Sequence, residues 1–215
     1  MKSYSVIIPT MWRSDLLLQM LQKYEDCECV KEVIIIDNNP NGAFDIGVFD
    51  KVSSYTKGEN IFVNPAWNWG VQFANHNLIL ANDDILIDNL DDVLSAISDS
   101  DFDIIGTIIN PDHKGKRIDD ISHFPRFPAN NFGCFMYVKN YVMIPEEIKI
   151  WYGDDLQFKM NAKRGRMVNY GIHTRPSTTI NSDARYFRNI IGKNDIRIVR
   201  EMKERGEEIG KLLLP

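Results

Sequence analysis

Two pairs of adjacent aspartates are the residues whose type and spacing could do chemistry in this sequence. Asp83 and Asp84 follow the apolar run at residues 78–80, and Asp154 and Asp155 begin a helical pattern. Carboxylate oxygens bind Mg²⁺ and Mn²⁺, and a carboxylate also accepts the proton in general base catalysis. The pairs could therefore hold a cation and deprotonate a nucleophile, although an isolated Asp-Asp is more often a solvated turn.

Short apolar runs and helical patterns alternate along the chain and predict the elements that position these aspartates. The runs at residues 5–9 and 33–36 predict buried strands with a helix between them, and this β-α-β order implies a parallel sheet covered on both faces. Further strands are predicted at residues 61–63, 78–80, 104–109, 132–138 and 167–172. Further helices are predicted at residues 67–75, 90–97, 154–164 and from 194 onward, with a long irregular loop at 110–131. The predicted fold class is α/β, with a mostly parallel central sheet flanked by helices and a C-terminal helix.

The composition is that of a folded globular protein. Of the 215 residues, 44% are hydrophobic and 26% are charged, and the formal net charge is −5. Because an acidic chain lacks the basic surface that nucleic acids require, no nucleic-acid partner is predicted. The length predicts one domain, and no apolar run reaches the roughly 18 residues of a transmembrane segment.

The three cysteines favour a reducing environment. Cys27, Cys29 and Cys134 form an odd number, without a Cys-x-x-Cys pair or a histidine at zinc-ligand spacing. This pattern argues against a disulfide framework and against a structural zinc. The protein is therefore predicted to be soluble and cytoplasmic.

Polar residues follow the predicted strands at the ends where ligands bind in open α/β sheets. Pro9 and Thr10 follow the first strand, and Asp37 and Asn38 follow the second. The turn after the first strand contains no G-x-G-x-x-G, and the chain contains no G-x-x-x-x-G-K-S/T, so the glycine-rich phosphate-binding loops are excluded.

Without a glycine-rich loop, a nucleoside diphosphate would have to be held through a metal ion. The pair Asp83-Asp84 offers the ligands, and Mn²⁺ or Mg²⁺ is the predicted cofactor. Arg13 could bind a phosphate, or it could be an ordinary solvated arginine. Trp151 could form a platform for an acceptor sugar, or it could be a half-buried aromatic residue.

Five motifs in sequence order resemble the GT-A-fold glycosyltransferases, specifically the family-2-like group that uses nucleotide-diphosphate sugars. The motifs are Ser5-Val-Ile-Ile-Pro-Thr10, Val33-Ile-Ile-Ile-Asp-Asn-Asn39, Asn64-Pro-Ala-Trp-Asn-Trp-Gly70, Leu80-Ala-Asn-Asp-Asp-Ile85 and Trp151-Tyr-Gly-Asp-Asp-Leu156. The resemblance implies a GT-A domain over residues 1–192, with a nucleotide-binding half at about 1–100 and an acceptor half at about 101–192. A helical extension at 193–215 would pack on the same domain. Large DNA viruses encode compact soluble members of this kind, and a viral origin is one expectation.

The resemblance also implies roles for individual residues. Asp84 is the expected metal ligand, with His173 where some members supply a further ligand. Asp155 is the expected catalytic base, although Asp154 remains an alternative. Nucleotide-sugar binding is expected from Pro9, Thr10, Arg13, Asp37, Asn38, Asn68 and Asp83. Three positions depart from the family pattern: Asn82 replaces the first acid of the metal motif, Asn38 replaces a frequent aspartate, and Asp154 stands where the acidic pair usually has a glutamate.

The function expected from this resemblance is the metal-dependent transfer of one hexose-type sugar. The donor would be a nucleotide-diphosphate sugar, expected to be a UDP-sugar. The acceptor would be a hydroxyl of a glycan or glycoconjugate, and the transfer would proceed with inversion. Two alternatives remain open, namely a sugar nucleotidyltransferase and a non-catalytic nucleotide-sugar-binding module on the same fold.

Overall fold

The protein forms an α/β fold around one large sheet. A computed structural model describes residues 2–41, 46–108, 115–124, 132–174 and 185–214. The strands are β1 Tyr4–Thr10, β2 Val30–Asp37, β3 Val52–Thr56, β4 Asn77–Ala81, β5 Ile85–Ile87, β6 Ile104–Thr107, β7 Arg117–Asp120, β8 Phe135–Val138, β9 Arg164–Val168 and β10 Ile172–Thr174. The helices are α1 Leu17–Asp26, α2 Val63–Val71, α3 Leu90–Asp99, α4 Gly153–Met160, α5 Gly192–Glu204 and α6 Glu208–Leu213. A 3-10 turn at Phe132–Cys134 leads into β8, and a π-helical segment at Arg185–Ile191 leads into α5.

The central sheet of the described residues has eight strands in the order β3-β2-β1-β4-β8-β6-β9-β7. The pairs β2–β3, β1–β2, β1–β4 and β6–β9 are parallel, whereas β8 runs antiparallel to both of its neighbours and β7 runs antiparallel to β9. A separate ribbon pairs β5 with β10. The predicted α/β class, with a mostly parallel sheet and a C-terminal helix, is confirmed.

Both faces of the sheet are buried, which explains the continuous apolar runs in β1 and β2. In β1, Val6 and Ile8 face one apolar cluster while Ile7 faces the other. Helices α1 and α3 cover the first face, and α2, α4 and the C-terminal helices cover the second. Alternate residues of a strand point to opposite faces, so a strand covered on both sides needs apolar residues at every position.

The two C-terminal helices belong to the second cluster. Val199 and Met202 of α5 and Leu213 of α6 are buried there. Gly210 lets the helices approach closely, because a Cβ at this position would lie 2.2 Å from the backbone nitrogen of Lys203. None of the helices in the described ranges is long and apolar enough to cross a membrane.

The strand predicted at residues 61–63 is wrong, because helix α2 begins there. Pro65 lies in the first turn of α2, where its missing N–H costs nothing. Phe62 immediately precedes the helix with a φ of 69°, and Asn60 Oδ1 accepts a hydrogen bond of 2.9 Å from its backbone nitrogen. This turn sends the chain into a helix.

The predicted helix at residues 154–164 is too long. Helix α4 ends at Met160, and Asn161 turns the chain by donating from Nδ2 to the carbonyl of Gln157. Gly165 directly follows the predicted helix and is a residue type that often ends helices, but it lies inside β9, where a Cβ would approach Phe102 and Ile118 to 2.9 Å. Close packing, not helix termination, explains this glycine.

Three further boundaries differ from the prediction. The strand predicted at 167–172 is divided into β9 and β10 by a turn with positive φ at Asn169 and Gly171. The strand predicted at 132–138 begins as the 3-10 turn. The predicted loop at 110–131 contains β7, while its residues 110–114 and 125–131 lie outside the described part.

Gly106 should be required for the placement of the 3-10 turn. A Cβ at Gly106 would lie 2.3 Å from the ring of Phe132, so Gly106→Ala forces the aromatic ring out of its site. We expect a loss of roughly 1–3 kcal/mol in the free energy of unfolding, measured in urea. The exposed substitution Glu59→Ala is the control and should change it by less than about 0.5 kcal/mol. Equal stability of both variants would contradict this account.

Candidate active site

The carboxyl ends of β1, β2 and β4 bring the first group of predicted residues together. Thr10 is paired directly with Asp37 in the register of β1 and β2. In the register of β1 and β4, Ile7 is paired with Leu80, and extending this pairing by three residues places Asp83 opposite Thr10. This edge lies between β1 and β4, where the strand order reverses and where α/β sheets bind ligands.

A short hydrogen bond closes this edge. Thr10 Oγ1 donates to Asp83 Oδ2 at 2.6 Å and accepts from the backbone nitrogen of Trp12 at 2.8 Å. Burial raises the pKa of Asp83, and the hydrogen bond from Thr10 opposes that shift. Thr10 therefore fixes the orientation of Asp83 relative to β1.

Asp37 and Asn38 form the wall of the site next to β2. Asp37 is 1% exposed, and its Oδ1 accepts from the backbone nitrogen of Asn39 at 2.8 Å. Its Oδ2 is buried and has no hydrogen-bond partner within the described residues. Asn38 receives a hydrogen bond from Ile61 N on Oδ1 and donates its own backbone N–H to Thr10 O. An unpartnered buried carboxylate oxygen is costly, so Asp37 suits a ligand that donates a hydrogen bond.

Asp84 follows β4 and is largely shielded from solvent. It is 4% exposed, and its Oδ1 is buried without a hydrogen-bond partner among the described residues. Burial, followed by the charge of Asp83, raises the pKa of Asp84 to about 6. A carboxylate in this condition gains from a bound cation, which supplies the missing partner and offsets the neighbouring negative charge. The carboxylate oxygens of Asp84 and Asp83 are therefore suitable ligands for a hard divalent cation.

The second aspartate pair is brought to the first by strand β8. In the antiparallel register of β4 and β8, Ala81 is paired with Phe135, and Asn82 N donates to Cys134 O at 2.8 Å. Gly133, one residue further, packs against Asp154, because a Cβ there would lie 2.8 Å from both Cβ and Oδ2 of the aspartate. The 3-10 turn thus bridges the two pairs.

The thiol of Cys134 lies within the electrostatic influence of both pairs. Burial raises its pKa to about 12, a hydrogen bond with Thr107 opposes the shift, and the charges of Asp84 and Asp154 raise it further. The Sγ atom is 3.1 Å from Thr107 Oγ1. One buried, neutral side chain therefore lies close to an acid from each pair.

Asp154 and Asp155 begin α4 but differ in their surroundings. Asp154 Oδ1 accepts from the backbone nitrogen of Asp155 at 3.0 Å, and the backbone N–H of Gly133 also donates to Asp154. Burial, followed by the charge of Asp154, raises the pKa of Asp155 to about 7, against the opposing charge of Lys159. Asp154 is thus held by backbone groups, while Asp155 has a pKa suited to proton exchange near neutral pH.

A buried carboxylate from α5 holds the segment that precedes α4. Asp195 is fully buried and accepts backbone N–H groups from three successive residues, Lys149, Ile150 and Trp151, at 2.8–2.9 Å. Hydrogen bonds to a charged acceptor are stronger than neutral ones. In the sequence, Asp195 looks like an ordinary acidic residue near a helix start, so no local pattern predicted this role.

Asn64 of α2 holds the carbonyl groups of the same segment. Its Nδ2 donates to the carbonyls of Ile148 and Trp151 at 3.2 and 2.9 Å. Gly153 is required beside it, because a Cβ there would lie 2.1 Å from Asn64 Oδ1. Between these contacts, Tyr152 adopts a φ of 64°, a strained conformation that persists only when its surroundings impose it.

Three other predicted residues are found in α2, before α4 and after β1. Asn68 is buried in α2 and holds the segment before residue 145, since its Oδ1 accepts from Tyr141 Oη and Ile144 N and its Nδ2 donates to Ile144 O. Trp151 is 39% exposed and packs over Gly192. Arg13 is exposed in the loop after β1. Their predicted contacts with substrates remain predictions.

His173 lies on the β5–β10 ribbon, and its Nε2 is 3.0 Å from Asp88 Oδ2. Both side chains are exposed. The neighbouring Thr174 is the residue of β10 that contacts Asp84, by donating from Oγ1 to the Asp84 carbonyl at 3.2 Å. Within the described ranges, His173 and Asp84 do not share a group of three metal-binding side chains, so ligation by His173 remains a prediction.

Comparison with solved structures assigns the fold. The crystal structure of S. aureus TarS 1–349 superimposes with a TM-score of 0.56 at 16% identity, covering 79% of this chain and 59% of that one. The complex of the same protein with UDP superimposes with a TM-score of 0.57 at 14% identity, covering 79% of this chain and 59% of that one. The complex with UDP-GlcNAc superimposes with a TM-score of 0.55 at 14% identity, covering 84% of this chain and 61% of that one. These structures are GT-A-type glycosyltransferases.

The chain has the GT-A fold. The predicted fold is thereby confirmed, and the chain spans about three fifths of TarS 1–349. No protein-family model and no curated protein matches the sequence. At 14–16% identity the likeness establishes the GT-A fold alone.

The raised pKa of Asp155 should make stability depend on pH. A raised pKa means that the folded protein binds the proton more tightly than the unfolded chain, so stability falls as pH rises from about 4 to about 7. Asp155→Asn removes this loss. We expect the unfolding free energy of the variant, relative to the parent protein, to rise by roughly 2–3 kcal/mol between pH 5 and pH 8.

The control for this experiment is Asp101→Asn. Asp101 is exposed, and its hydrogen bond with Lys163 lowers its pKa. Its carboxyl is therefore ionised in both the folded and the unfolded protein throughout pH 5 to 8, and the effect of the substitution should be constant. If both variants changed the unfolding free energy with the same dependence on pH, the pH dependence would not arise from Asp155.

The three hydrogen bonds of Asp195 should be a large contribution to stability. Asp195→Ala leaves three partly buried backbone N–H groups without this acceptor, and we expect a loss of about 2 kcal/mol in urea unfolding. Asp195→Asn should cost less, because an amide oxygen still accepts. Glu204→Ala, at an exposed position of the same helix, is the control and should cost less than about 0.5 kcal/mol. An unchanged urea midpoint for Asp195→Ala would show that these three hydrogen bonds do not stabilise the fold.

Proposed function

We propose that this protein is a glycosyltransferase that moves a single hexose-type sugar from a UDP-sugar to a hydroxyl of a glycan or glycoconjugate. The observation that carries the proposal is the position of the two aspartate pairs on either side of the Phe132–Cys134 turn. One pair follows a central strand and the other begins a helix, so the site offers a cation ligand and a base on a GT-A fold. The UDP and UDP-GlcNAc complexes of TarS support the choice of donor.

The nucleotide would lie across the carboxyl ends of β1, β2 and β4. The buried Oδ2 of Asp37 can accept a hydrogen bond from the base or the ribose. Pro9, Thr10 and Asn38 line the same edge, and Asp83 is oriented toward it by Thr10. Hydrogen-bond acceptors that are buried and otherwise unsatisfied select ligands that carry the matching donors.

Asp84 would hold Mn²⁺ or Mg²⁺, and His173 would be the second ligand after a side-chain rotation away from Asp88. The chemistry that such an ion would supply is positive charge for the leaving diphosphate. A mildly acidic protein without a glycine-rich loop needs this cation, because its own carboxylates would otherwise repel the diphosphate.

Asp155 would act as the general base. Its carboxylate takes the proton of the acceptor hydroxyl while the hydroxyl oxygen forms a bond to the anomeric carbon. The bond from that carbon to the diphosphate oxygen breaks, and the diphosphate leaves with the electron pair, which inverts the configuration. A pKa of about 7 is matched to this task, since the group is partly ionised and still basic at neutral pH.

Asp154 and the C-terminal helices would position this base. The charge of Asp154 raises the pKa of Asp155, and its own contacts with Gly133 fix the start of α4. Asp195 holds the segment that carries Trp151, the proposed acceptor platform. We therefore propose that the domain at 1–192 and the extension at 193–215 act as one catalytic unit.

Calorimetric titration with UDP, with and without Mn²⁺, tests the donor site. We expect binding that requires Mn²⁺ and that is lost in Asp84→Ala. Asp101→Ala is the control, because Asp101 is an exposed acid between α3 and β6 whose partner is Lys163, and this variant should bind UDP as the parent protein does. The proposal would be contradicted if no nucleotide bound in the presence or absence of any divalent metal ion.

Release of UDP from UDP-glucose, UDP-galactose and UDP-GlcNAc tests the chemistry. Asp155→Asn should keep the affinity for UDP and lose about 10²–10⁴-fold in rate, the usual contribution of a general base. Release of pyrophosphate from UTP and a sugar 1-phosphate would indicate the nucleotidyltransferase alternative instead. UDP binding with no turnover of any donor would indicate the binding module.

A further inference from the structure

A second group of potential metal ligands lies at the opposite edge of the sheet. Cys27 Sγ is 3.2 Å from Cys29 Sγ and 3.1 Å from Asp91 Oδ1, and the ligand atoms of all three residues lie within 4.8 Å of one another. Cys27 follows α1, Cys29 precedes β2, and Asp91 lies in the first turn of α3. Strand β2 separates this group from Asp37 by eight residues, or roughly 25 Å.

We propose that Cys27, Cys29 and Asp91 form a binding site for one thiophilic divalent cation of the Zn²⁺ type, distinct from the active site. The sequence pattern argued against a structural zinc because it contains no Cys-x-x-Cys pair and no histidine at zinc-ligand spacing. The third ligand is 64 positions away along the chain and is supplied by the fold.

The distances suit a tetrahedral ion. Zinc binds thiolate sulfur at about 2.3 Å and carboxylate oxygen at about 2.0–2.2 Å, so two sulfurs at a tetrahedral angle are roughly 3.7 Å apart. The two sulfurs are 3.2 Å apart, and a shift of about half an ångström makes room for the ion. Both thiols are buried while Asp91 is exposed, which leaves the fourth position open to water on the solvent side.

The backbone around the two cysteines is already fixed. Val30 N donates to Cys27 O at 3.2 Å, and Tyr4 N donates to Cys29 O at 2.9 Å. Lys51 Nζ donates to Cys27 O at 2.8 Å, which places a positive charge beside the group. Two thiolates and a carboxylate bound to a divalent ion carry a net charge of −1, and this ammonium group offsets it. A site with ordered ligands loses less entropy when it binds an ion.

Binding at this site should join α1, β2 and α3 and release thiol protons. In the metal-free protein, burial raises the pKa of Cys27 to about 12, and both cysteines are free thiols. The metal must displace these protons, so its affinity increases with pH. An ion that binds only the folded state also raises the midpoint of thermal unfolding.

Titration of the reduced, chelator-treated protein with Co²⁺ tests the site. Thiolate ligation gives an intense near-ultraviolet charge-transfer band, and we expect one equivalent of Co²⁺ per chain to produce it and Zn²⁺ to abolish it. Zn²⁺ should also raise the midpoint of thermal unfolding. Cys27→Ser and Cys29→Ser should each lose the band, and Asp91→Asn should weaken the affinity at least tenfold. Because Asp91 is exposed, the last variant tests the site even where a cysteine variant folds poorly.

Cys134→Ser is the matched control, because Cys134 is the third buried cysteine and lies beside the active-site acids. It should keep the band and the Zn²⁺-dependent rise in the unfolding midpoint, as should Asp84→Ala. The proposal is overturned if the parent protein shows no thiolate band or if Cys134→Ser abolishes it. It is also overturned if the reduced protein oxidises to a Cys27–Cys29 disulfide, a mass loss of about 2 Da, without taking up the metal.

Discussion

The antiparallel pairing of β8 with β4 is the constraint on which the candidate active site depends. β4 ends at Ala81, and the pairing of Ala81 with Phe135 places the Phe132–Cys134 turn against the residues that follow β4. Because that turn also contacts Asp154, a single register brings together two aspartate pairs that are about seventy positions apart. A shift of one residue would reverse every side chain of β8 and separate the pairs.

Bringing four carboxylates together within a buried region is unfavourable, and the contacts around them show how the fold sustains it. Burial raises the pKa of all four acids, which means that the folded state resists their ionisation. Thr10 and the backbone N–H groups that contact Asp154 offset part of this cost. Asp84 retains an oxygen without a hydrogen-bond partner within the described residues. A cation bound there would reduce the free-energy cost of ionising this buried acid.

The fold and both aspartate pairs could be predicted because their signals are local. Apolar runs identify β1, β2 and β4, and acids immediately after a strand or at the start of a helix are visible in the sequence. The start of α2 was missed because the deciding contacts, from Asn60 and Asn38 to the turn at Phe62, override the strand propensity of residues 61–63. Asp195 and Asp91 contact residues more than forty positions away in the sequence, so no local sequence pattern could predict these contacts.

Asp195 also changes how the C-terminal helices should be understood. An extension that merely covers apolar surface would contribute Val199, Met202 and Leu213 to the core and nothing more. Instead, α5 places a fully buried carboxylate under three consecutive backbone N–H groups, directly before the strained Tyr152. Strain of this kind persists only where the surroundings impose one conformation, and here Asn64 binds the carbonyl of Trp151 while Asp195 binds its backbone N–H. The direction in which α4 presents Asp155 is therefore set jointly by α2 and by the C-terminal helix α5.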